Sequence, residues 1–299
     1  MSEHGHTHGQ QDFGSAFAIG VSLNLVYVVV EAAYGLHAHS LALVADAGHN
    51  MGDVLGLALA WAAVTLARRR PTRRYTYGLR STSILAALIN ALVLLLMTGG
   101  IAWEAVRRLS APEPAGGLTI IVVAAIGVLV NALTALLFAS GRKGDLNIRA
   151  AFVHMASDAV IALGVVIAGA LMLWKGWAWL DPVVSLAISL AIVLGTWGLL
   201  RDSVNLALAA VPEGIDGAEV EAFLAGLAGV EAVHDLHILG MSTTEAALTA
   251  HLVCPMPTEG DRLVTQASLE LHERFGIEHI TIQVETGAKP CKQASAEVV

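Results

Sequence analysis

The chain has 299 residues, of which 56% are hydrophobic and only 14% are charged, and its mean hydropathy is +0.66. Because soluble domains contain about 25% charged residues, this composition excludes an ordinary soluble protein and indicates an integral membrane protein. The net charge of −8 is uneven: residues 1–207 hold 13 Lys and Arg against 11 Asp and Glu, and residues 208–299 hold 4 against 14. The acidic second part argues against a nucleic-acid partner, since phosphates require a basic surface.

The chain begins with a polar tail, residues 1–12, in which the sequence HGHTHG contains three histidines. Short His-rich tracts bind metal ions, and a plain polar tail is the alternative interpretation of His4, His6 and His8. Beyond the tail we expect a transmembrane domain over residues 13–207, because six apolar stretches there are close to the ~20 residues that cross a bilayer. The expected spans are 13–36, 41–67, 82–104, 118–140, 150–174 and 181–205.

Basic loops set the orientation of these spans. The loop after the second span, RRRPTRRYTYGLR, holds six arginines, whereas the loops on the opposite side hold only Arg107, Arg108 and Lys175. Cytoplasmic loops carry the excess of Lys and Arg, and six spans leave both termini on one side. Both termini are therefore predicted to be cytoplasmic, and the arginine-rich loop is expected to contact anionic lipid headgroups.

Residues 208–288 are predicted to form a small cytoplasmic domain, followed by a tail over 289–299. Apolar residues at helical spacing alternate there with short β-branched runs, which predicts an α-β-β-α-β order and a small sheet with helices on one face. A domain of about 80 residues has a small core, so dimerisation would help to stabilise it. The predicted elements are helices over 216–227 and 258–274 and strands over 230–239, 246–254 and 279–285.

Two spans carry the same pair of ionisable residues at the same spacing. His49 and Asp53 lie in the second span, and His154 and Asp158 lie in the fifth. Residues four apart share one face of a helix, so each pair presents an imidazole and a carboxylate to the same place. An ionisable group inside a membrane costs a few kcal/mol, about 2.5–3.5 for Asp, and indicates a functional site. A packing hydrogen bond is the alternative for a single pair, but two matching pairs favour a shared site.

The ligand types limit the metal that this site would bind. Two imidazole nitrogens and two carboxylate oxygens complete a tetrahedral shell for Zn²⁺, and the absence of sulfur ligands leaves Co²⁺ and Cd²⁺ as further possibilities. Binding needs neutral imidazole and ionised carboxylate, so protons compete with the metal. A metal site in a membrane therefore predicts transport, with protons as the counter-ion.

Small residues accompany the first pair. Gly48, Gly52 and Gly56 recur at four-residue steps beside it, and small residues at this spacing let membrane helices approach closely. Two helices that share a metal through bonds near 2 Å need such an approach.

Other polar residues lie within the spans. Asn24, Asn90 and Asn131 are interpreted as hydrogen-bonding contacts between helices. Glu31 is costlier to bury, so lining a water-filled route and a structural role both stay open. Asp46, one turn before His49, either begins the second helix or lines the inner vestibule.

The sequences VADAGHNMGD, HMASD, AVHDLHIL and HITIQVE, together with six spans, resemble the cation diffusion facilitator family. The chain is most similar to the bacterial cobalt–zinc–cadmium resistance subgroup. The resemblance covers nearly the whole chain. It implies a homodimer in the bacterial inner membrane that exports divalent metal in exchange for protons by alternating access. It also implies a ferredoxin-like, metallochaperone-like α+β domain after the six transmembrane helices.

The same resemblance implies a zinc site in the cytoplasmic domain. By position, His234, His251 and Glu285 match the family's ligands best, His279 is a further candidate, and Cys291 is expected to reach a partner's site. Gln283 stands where some members have a ligating His, which argues against a two-metal cluster. Some members bind zinc in the loop after the second span, but the arginine-rich loop here lacks Asp and His, so no metal site is expected there.

Two other classes of protein compete with a transporter. An intramembrane zinc enzyme needs an open metal position and a general base, often within a His-Glu-xx-His motif, and that motif is absent. The chain is therefore not expected to be an enzyme. A metal sensor that does not transport would need only the cytoplasmic histidines and would leave the two membrane pairs without a role.

Overall fold

The computed structural model of the chain describes residues 14–111, 116–139, 146–256, 260–287 and 291. The predicted metal-binding residues of the first tail, His4, His6 and His8, lie outside these ranges. The described part of the chain begins with six long helices, in the order that the apolar stretches predict. Their bounds are α1 Gly14–His37, α2 Leu41–Ala67, α3 Thr82–Ser110, α4 Gly117–Phe138, α5 Leu146–Lys175 and α6 Leu180–Ala207.

These helices have the composition and surface of a membrane domain. Among the described residues, five helices are long and apolar enough to cross a bilayer, and α1 adds a shorter apolar segment, Val21–His37. Leucine side chains such as Leu96, 75% exposed, point outward, whereas Asp158 is 1% exposed. Apolar groups outside and polar groups inside are what a lipid environment requires. The predicted six-helix architecture is confirmed, although α3 and α5 extend beyond their predicted bounds.

The described chain divides into two compact units, one formed by Met1–Leu57 and Leu92–Thr196 and the other by Ala58–Ala91 and Trp197–Val299. In the first unit, α4 packs along α5 and contacts α1. Interlocking aliphatic and small side chains fill its interior, which holds the helices together by dispersion contacts. The core residues include Tyr27, Leu43, Leu94, Ile120, Val123, Val165, Ile188 and Ile192.

A carboxylate from α6 fixes the start of α2. Asp181, 2% exposed, accepts hydrogen bonds from the backbone N–H groups of Leu41 at 2.7 Å and Ala42 at 3.3 Å, and from the Ser40 hydroxyl. The first N–H groups of a helix lack internal partners, and a negative charge there is favourable. Asp46 lies in the second turn, so of the two roles left open for it, beginning the helix is wrong.

Gly48 and Gly52 approach α3 and not α5, the helix that was expected to share a metal with α2, so the predicted role of these glycines at the metal site is not the observed one. A Cβ atom on Gly52 would overlap the Leu94 side chain, and a Cβ on Gly48 would lie 3.6 Å from Ile101. A larger residue at position 52 would therefore force the Leu94 side chain to move, and glycine lets α2 and α3 approach without that shift.

The second unit contains the α-β-β-α-β domain, in the predicted order. Its elements are α7 Gly217–Ala225, β1 Ala232–Gly240, β2 Ala246–Val253, α8 Gly260–Phe275 and β3 Ile277–Glu285. Strand β2 is central, antiparallel to β1 and parallel to β3. Both helices contribute to one core with the sheet, so the domain has a single apolar interior. That core includes Val220, Leu224, Leu248, Leu252, Ala267, Leu271 and Ile277.

The arginine-rich loop between α2 and α3 contacts the sheet within the second unit. Arg80 Nη1 lies 2.8 Å from Glu245 Oε2, and the Ser81 hydroxyl donates a hydrogen bond to the Met241 carbonyl at 3.1 Å. Both partners belong to the turn between β1 and β2. One end of this loop is therefore held by the sheet, and the expected contact of its other arginines with lipid stays a prediction.

Candidate metal centres

Helices α2 and α5 bring the two predicted pairs together. The Nε2 atom of His49 lies 3.8 Å from Asp53 Oδ2 and 3.5 Å from Asp158 Oδ1. The Nε2 atom of His154 lies 3.2 Å from Asp53 Oδ2 and 3.6 Å from Asp158 Oδ2. Each imidazole thus contacts one carboxylate of its own helix and one of the facing helix. These four side chains, His49, Asp53, His154 and Asp158, are called the membrane quartet below.

Three members of the membrane quartet lie close enough to share a metal ion: Asp53, His154 and Asp158 each offer a ligand atom within 4.8 Å of the others. Ligand atoms that bind Zn²⁺ at about 2.0–2.2 Å lie roughly 3.3–3.6 Å apart along the edges of the tetrahedron. The four nitrogen–oxygen distances, 3.2, 3.5, 3.6 and 3.8 Å, fall around this value. His49 contacts both carboxylates but lies outside this group of three, so its imidazole would have to move toward the other ligands to complete a four-coordinate site.

The membrane quartet leaves buried polar atoms without partners. Among the described residues, the buried His49 Nδ1 makes no hydrogen bond, and the buried Asp53 Oδ2 and Asp158 Oδ2 contact the quartet's imidazoles without hydrogen-bond geometry. An unsatisfied buried polar group costs about 1–3 kcal/mol. A bound cation would offset this cost for the two carboxylate oxygens, so the ligand atoms of the quartet suit a metal ion.

A cavity of about 330 Å³ reaches the membrane quartet from one side. Asp53 and His154 form part of its wall, and the other polar and sulfur-containing side chains are those of Asn24, Asn50, Thr134 and Met155. The amide of Asn24 also donates a weak hydrogen bond to the Met155 sulfur at 3.6 Å, which links α1 to α5 as predicted for an interhelical Asn. Two of the four quartet side chains, Asp53 and His154, are therefore accessible from a cavity that is large enough for water molecules.

Two further acidic residues lie buried in the first unit. Glu31 is 0% exposed and Asp46 is 1% exposed. Neither residue lines the cavity described above, and both side chains lie in the protein interior. The sequence indicated that Glu31 is costly to bury, whereas for Asp46 it left open the start of the second helix or the inner vestibule.

The cytoplasmic domain contains a second cluster of metal-binding side chains. His234 and His251 face each other across β1 and β2, with ring centroids 5.2 Å apart. Glu285 Oε2 lies 3.4 Å from His234 Nε2, and Glu285 Oε1 lies 3.2 Å from His251 Nδ1. The Cys291 sulfur lies 3.6 Å from His251 Nδ1. One ligand atom from each of these four residues lies within 4.8 Å of the others; together they are called the sheet cluster.

The electrostatic environment of the sheet cluster suits a bound cation. His234 Nε2 is buried and lacks a hydrogen-bond partner among the described residues. Burial raises the pKa of Glu285, but hydrogen bonds from Cys291 and Gln283 and the two nearby imidazoles outweigh it and hold the pKa below its ordinary value. A carboxylate that stays ionised beside two imidazoles and a thiol fits a divalent ion such as Zn²⁺.

Asp235 joins the sheet cluster through an irregular strand. Side chains alternate across a strand, which would place Asp235 opposite His234. The pairing register shifts between His234 and His237, and Asp235 has a φ of 51°. Asp tolerates this left-handed conformation better than most residues. Its Oδ2 then lies 3.4 Å from His251 Nε2, and its Oδ1 accepts a hydrogen bond from His237 at 2.9 Å.

The other two cytoplasmic candidates lie in different places from those expected. Cys291 was expected at a partner's site, but it lies beside His251 of its own chain. His279 is six residues from Glu285 along β3, about 20 Å at the rise of a strand, and its ring packs edge-on against Tyr77, 5.2 Å between centroids. Within the described residues, the structure does not bring His279 together with the sheet cluster.

Comparison with family models covers almost all of the chain. Residues 17–206 match the model of the cation efflux transmembrane domain, and residues 212–287 match that of the cation efflux protein cytoplasmic domain. The two matches together contain every residue of the membrane quartet and all of the sheet cluster except Cys291.

Characterised relatives are similar over nearly their full length. The metal cation efflux system protein CzcD of Cupriavidus metallidurans is 33% identical over 98% of this chain and 92% of its own. The zinc transporter ZitB of Escherichia coli is 36% identical over 92% and 87%. The cadmium, cobalt and zinc/H(+)-K(+) antiporter of Bacillus subtilis is 33% identical over 95% and 93%. A solved structure, the metal-bound C-terminal domain of the CzcD transporter, is 36% identical over 24% of this chain and 99% of that one, with a TM-score of 0.23.

Proposed function

Because the chain belongs to the cation diffusion facilitator family of cation efflux transporters, we propose that it exports Zn²⁺ from the cytoplasm in exchange for protons. It is a membrane protein with a cytoplasmic C-terminal domain, and its family consists of transporters and not enzymes. Relatives that are named for zinc transport and for cadmium, cobalt and zinc exchange support this class of substrate. Co²⁺ and Cd²⁺ are the alternative substrates.

The membrane quartet is the transport site of this proposal, and its geometry is the observation that carries it. Four contacts of 3.2–3.8 Å join the two imidazoles to the two carboxylates, and ligands of these types suit a tetrahedral Zn²⁺ ion. The ligands come from two helices, so a change in the distance between α2 and α5 would weaken binding. Alternating access of this site to the two sides of the membrane would then move the ion.

Protons are the counter-ion because the quartet must lose them to bind metal. His49 and His154 bind Zn²⁺ only as neutral imidazoles, and Asp53 and Asp158 only as carboxylates. Imidazole changes its charge near physiological pH. When the ion leaves on the outer side, protons take its place on the same atoms and return inward.

The sheet cluster is the regulatory site of this proposal. His234, His251, Glu285 and Cys291 would hold a Zn²⁺ ion there, which fits the buried His234 nitrogen that has no partner in the described residues. When bound, the ion joins β1, β2 and β3 through one set of ligands and thus stabilises the domain. His279 is left out of this set because it lies against Tyr77.

The remaining assignments concern assembly and location. We infer that the transporter is a homodimer in the bacterial inner membrane with both termini in the cytoplasm. Residues 13–207 would form the membrane domain and 208–288 the cytoplasmic domain, between tails at 1–12 and 289–299. The family matches, which meet between residues 206 and 212, support this division.

A sensor that does not transport is the second candidate, because the sheet cluster alone would suffice for sensing. The membrane quartet argues against it, since four ionisable groups in a membrane are costly and would have no role. A measurement of metal flux distinguishes the two candidates.

Zinc uptake into proteoliposomes tests the proposal. With an acidic interior, the full-length protein should take up Zn²⁺ and release protons, and Asp53→Asn or Asp158→Asn should abolish uptake, because each removes an anionic ligand. Asp202→Asn is the matched control: it makes the same chemical change at a half-buried residue of α6 whose carboxylate pairs with Arg201, and uptake should continue. Full zinc uptake by both Asp53→Asn and Asp158→Asn would overturn the assignment of the transport site. Zinc uptake at the same rate with and without a pH gradient would overturn proton exchange.

A further inference from the structure

The loop between α2 and α3 contains five arginines that neither metal site uses. Residues 68–77 of this loop are all exposed, and none of the five pairs with a carboxylate among the described residues. By contrast, Arg80, Arg107 and Arg274 each lie 2.8–3.9 Å from a carboxylate oxygen. The five, called the arginine group below, are Arg68, Arg69, Arg70, Arg73 and Arg74.

The arginine group lacks these partners although carboxylates are abundant in the same unit. Residues 208–299 hold 14 Asp and Glu against 4 Lys and Arg, and they belong to the second unit together with the loop. Within the described part of the chain, Arg80 is the loop residue that pairs with one of these acids, Glu245. The guanidinium groups of the arginine group therefore stay open to an anion from outside the chain.

Hydrogen bonds within the loop give it a defined shape. The Thr72 N–H donates to the Tyr75 carbonyl at 3.0 Å, and the Tyr75 N–H donates to the Thr72 hydroxyl oxygen at 3.1 Å. These bonds close a turn that has Arg73 and Arg74 at its tip. Gly78 has a φ of 76°, and a Cβ atom there would lie 3.5 Å from the Arg69 carbonyl oxygen. The loop thus folds back on itself, which lowers the entropy that it would lose on binding a ligand.

The position of α2 places the arginine group beside the membrane surface. Trp61 of α2 is 73% exposed, and α2 ends at Ala67, six residues later. Trp side chains prefer the membrane–water interface, and six helical residues rise about 9 Å. The arginine group therefore begins about one Debye length beyond that interface at physiological salt. The contact between Arg80 and Glu245 of the C-terminal domain makes this the cytoplasmic surface.

We propose that the arginine group binds the headgroups of anionic phospholipids, such as phosphatidylglycerol, in the cytoplasmic leaflet. Guanidinium groups match phosphate oxygens in charge and geometry, and a zwitterionic headgroup is bound more weakly because its own cation is repelled. The bound headgroups fix the inner end of α2 from the membrane side, while Arg80 and Ser81 hold the other end of the loop on the sheet. This anchoring does not depend on which ion is transported.

Lipid binding to the full-length protein tests this proposal. Native mass spectrometry in a non-ionic detergent would measure the affinity for short-chain phosphatidylglycerol and, separately, for short-chain phosphatidylcholine. The parent should bind phosphatidylglycerol more tightly. The double variant Arg73→Gln, Arg74→Gln should weaken that binding roughly thirtyfold, because each arginine near an anionic surface contributes about fivefold. Its affinity for phosphatidylcholine should stay parental, which shows that the variant is folded.

Two further double variants serve as controls. Arg107→Gln with Arg274→Gln makes the same change of net charge at exposed arginines that have carboxylate partners, so it should keep the parental affinity. Arg73→Lys with Arg74→Lys keeps the positive charge and should retain most of the binding.

Several outcomes would contradict the headgroup site. They are equal affinity of the parent for the two lipids, parental binding of phosphatidylglycerol by the Arg73→Gln, Arg74→Gln variant, and an equal loss in the Arg107→Gln, Arg274→Gln control. Loss of binding in the lysine variant would show that charge does not drive the interaction. Full displacement of phosphatidylglycerol by an equal concentration of inorganic phosphate would indicate a site for soluble anions and would also overturn the proposal.

Discussion

The membrane quartet and the sheet cluster use similar side chains but build their sites in different ways. In the quartet, His49 with Asp53 and His154 with Asp158 are each four residues apart on a helix, and two helices supply all the ligands. In the sheet cluster, His234 and His251 are paired across two strands, and Glu285 comes from a third. A helical site is therefore visible as a spacing in the sequence, whereas a sheet site depends on strand register.

The two sites also differ in their ligand chemistry. The quartet has only nitrogen and oxygen ligands, whereas the sheet cluster includes the Cys291 sulfur. Thiolate favours softer metals and binds more tightly than carboxylate. A transport site must release its ion, so the weaker set suits the quartet, and the stronger set suits a site that holds its ion.

The largest expected difference is the effect of removing one histidine from each site. His49→Ala should lower zinc flux in proteoliposomes by on the order of a hundredfold, at least as much as the loss of an outer-shell partner usually costs a metal site. His251→Ala should lower flux far less, because an ion that crosses the bilayer need not visit the sheet. Equal losses of zinc flux in the two variants would contradict the assignment of transport to the membrane quartet and regulation to the sheet cluster.

Packing of the helices should matter for the quartet and not for the sheet cluster. Gly52→Ala places a Cβ into Leu94, and overpacking of this kind costs about 1–3 kcal/mol. The variant should melt at a lower temperature in detergent and transport less, with zinc binding by the sheet cluster unchanged.

Two matched variants check the cause of that effect. Gly99→Ala adds a Cβ where nothing lies within 4 Å, so it should be neutral or stabilising by up to about 1 kcal/mol. Leu94→Ala combined with Gly52→Ala should cost less stability than the sum of the two single changes, because the smaller side chain leaves room for the added Cβ. A Gly52→Ala protein as stable as the parent would show that α2 and α3 have room to separate.

The smallest effect is expected from Asp235→Asn. This change removes the charge beside His251 and His237 but keeps the shape of the side chain. If Asp235 orients His251, zinc affinity of the sheet cluster should fall by roughly tenfold, as measured by competition with a zinc indicator. Asp261→Asn, at an exposed residue of α8, is the control and should keep the parental affinity.

Most of the fold follows from local patterns in the sequence. Apolar length predicts each membrane helix, and the order α-β-β-α-β follows from periodicity and β-branched residues; both predictions are confirmed, as is the resemblance to the cation diffusion facilitator family. The pairing of each His with its Asp also follows from helical periodicity alone. These features depend on neighbours within one turn or one strand, which the sequence contains directly.

Contacts between distant segments depended on the tertiary structure. The sequence placed Asp53 and His154 on two helices, but only the packing of those helices brought them to 3.2 Å. Alternation along β1 predicts the wrong face for Asp235, because the irregular register and a left-handed residue override it. The burial of Asp46 likewise depended on the tertiary structure, since the sequence left the start of α2 and the inner vestibule open for this residue. Local periodicity thus determined which residues share a face, and the packing of those faces, which depends on side-chain shape and backbone irregularity, decided which residues meet.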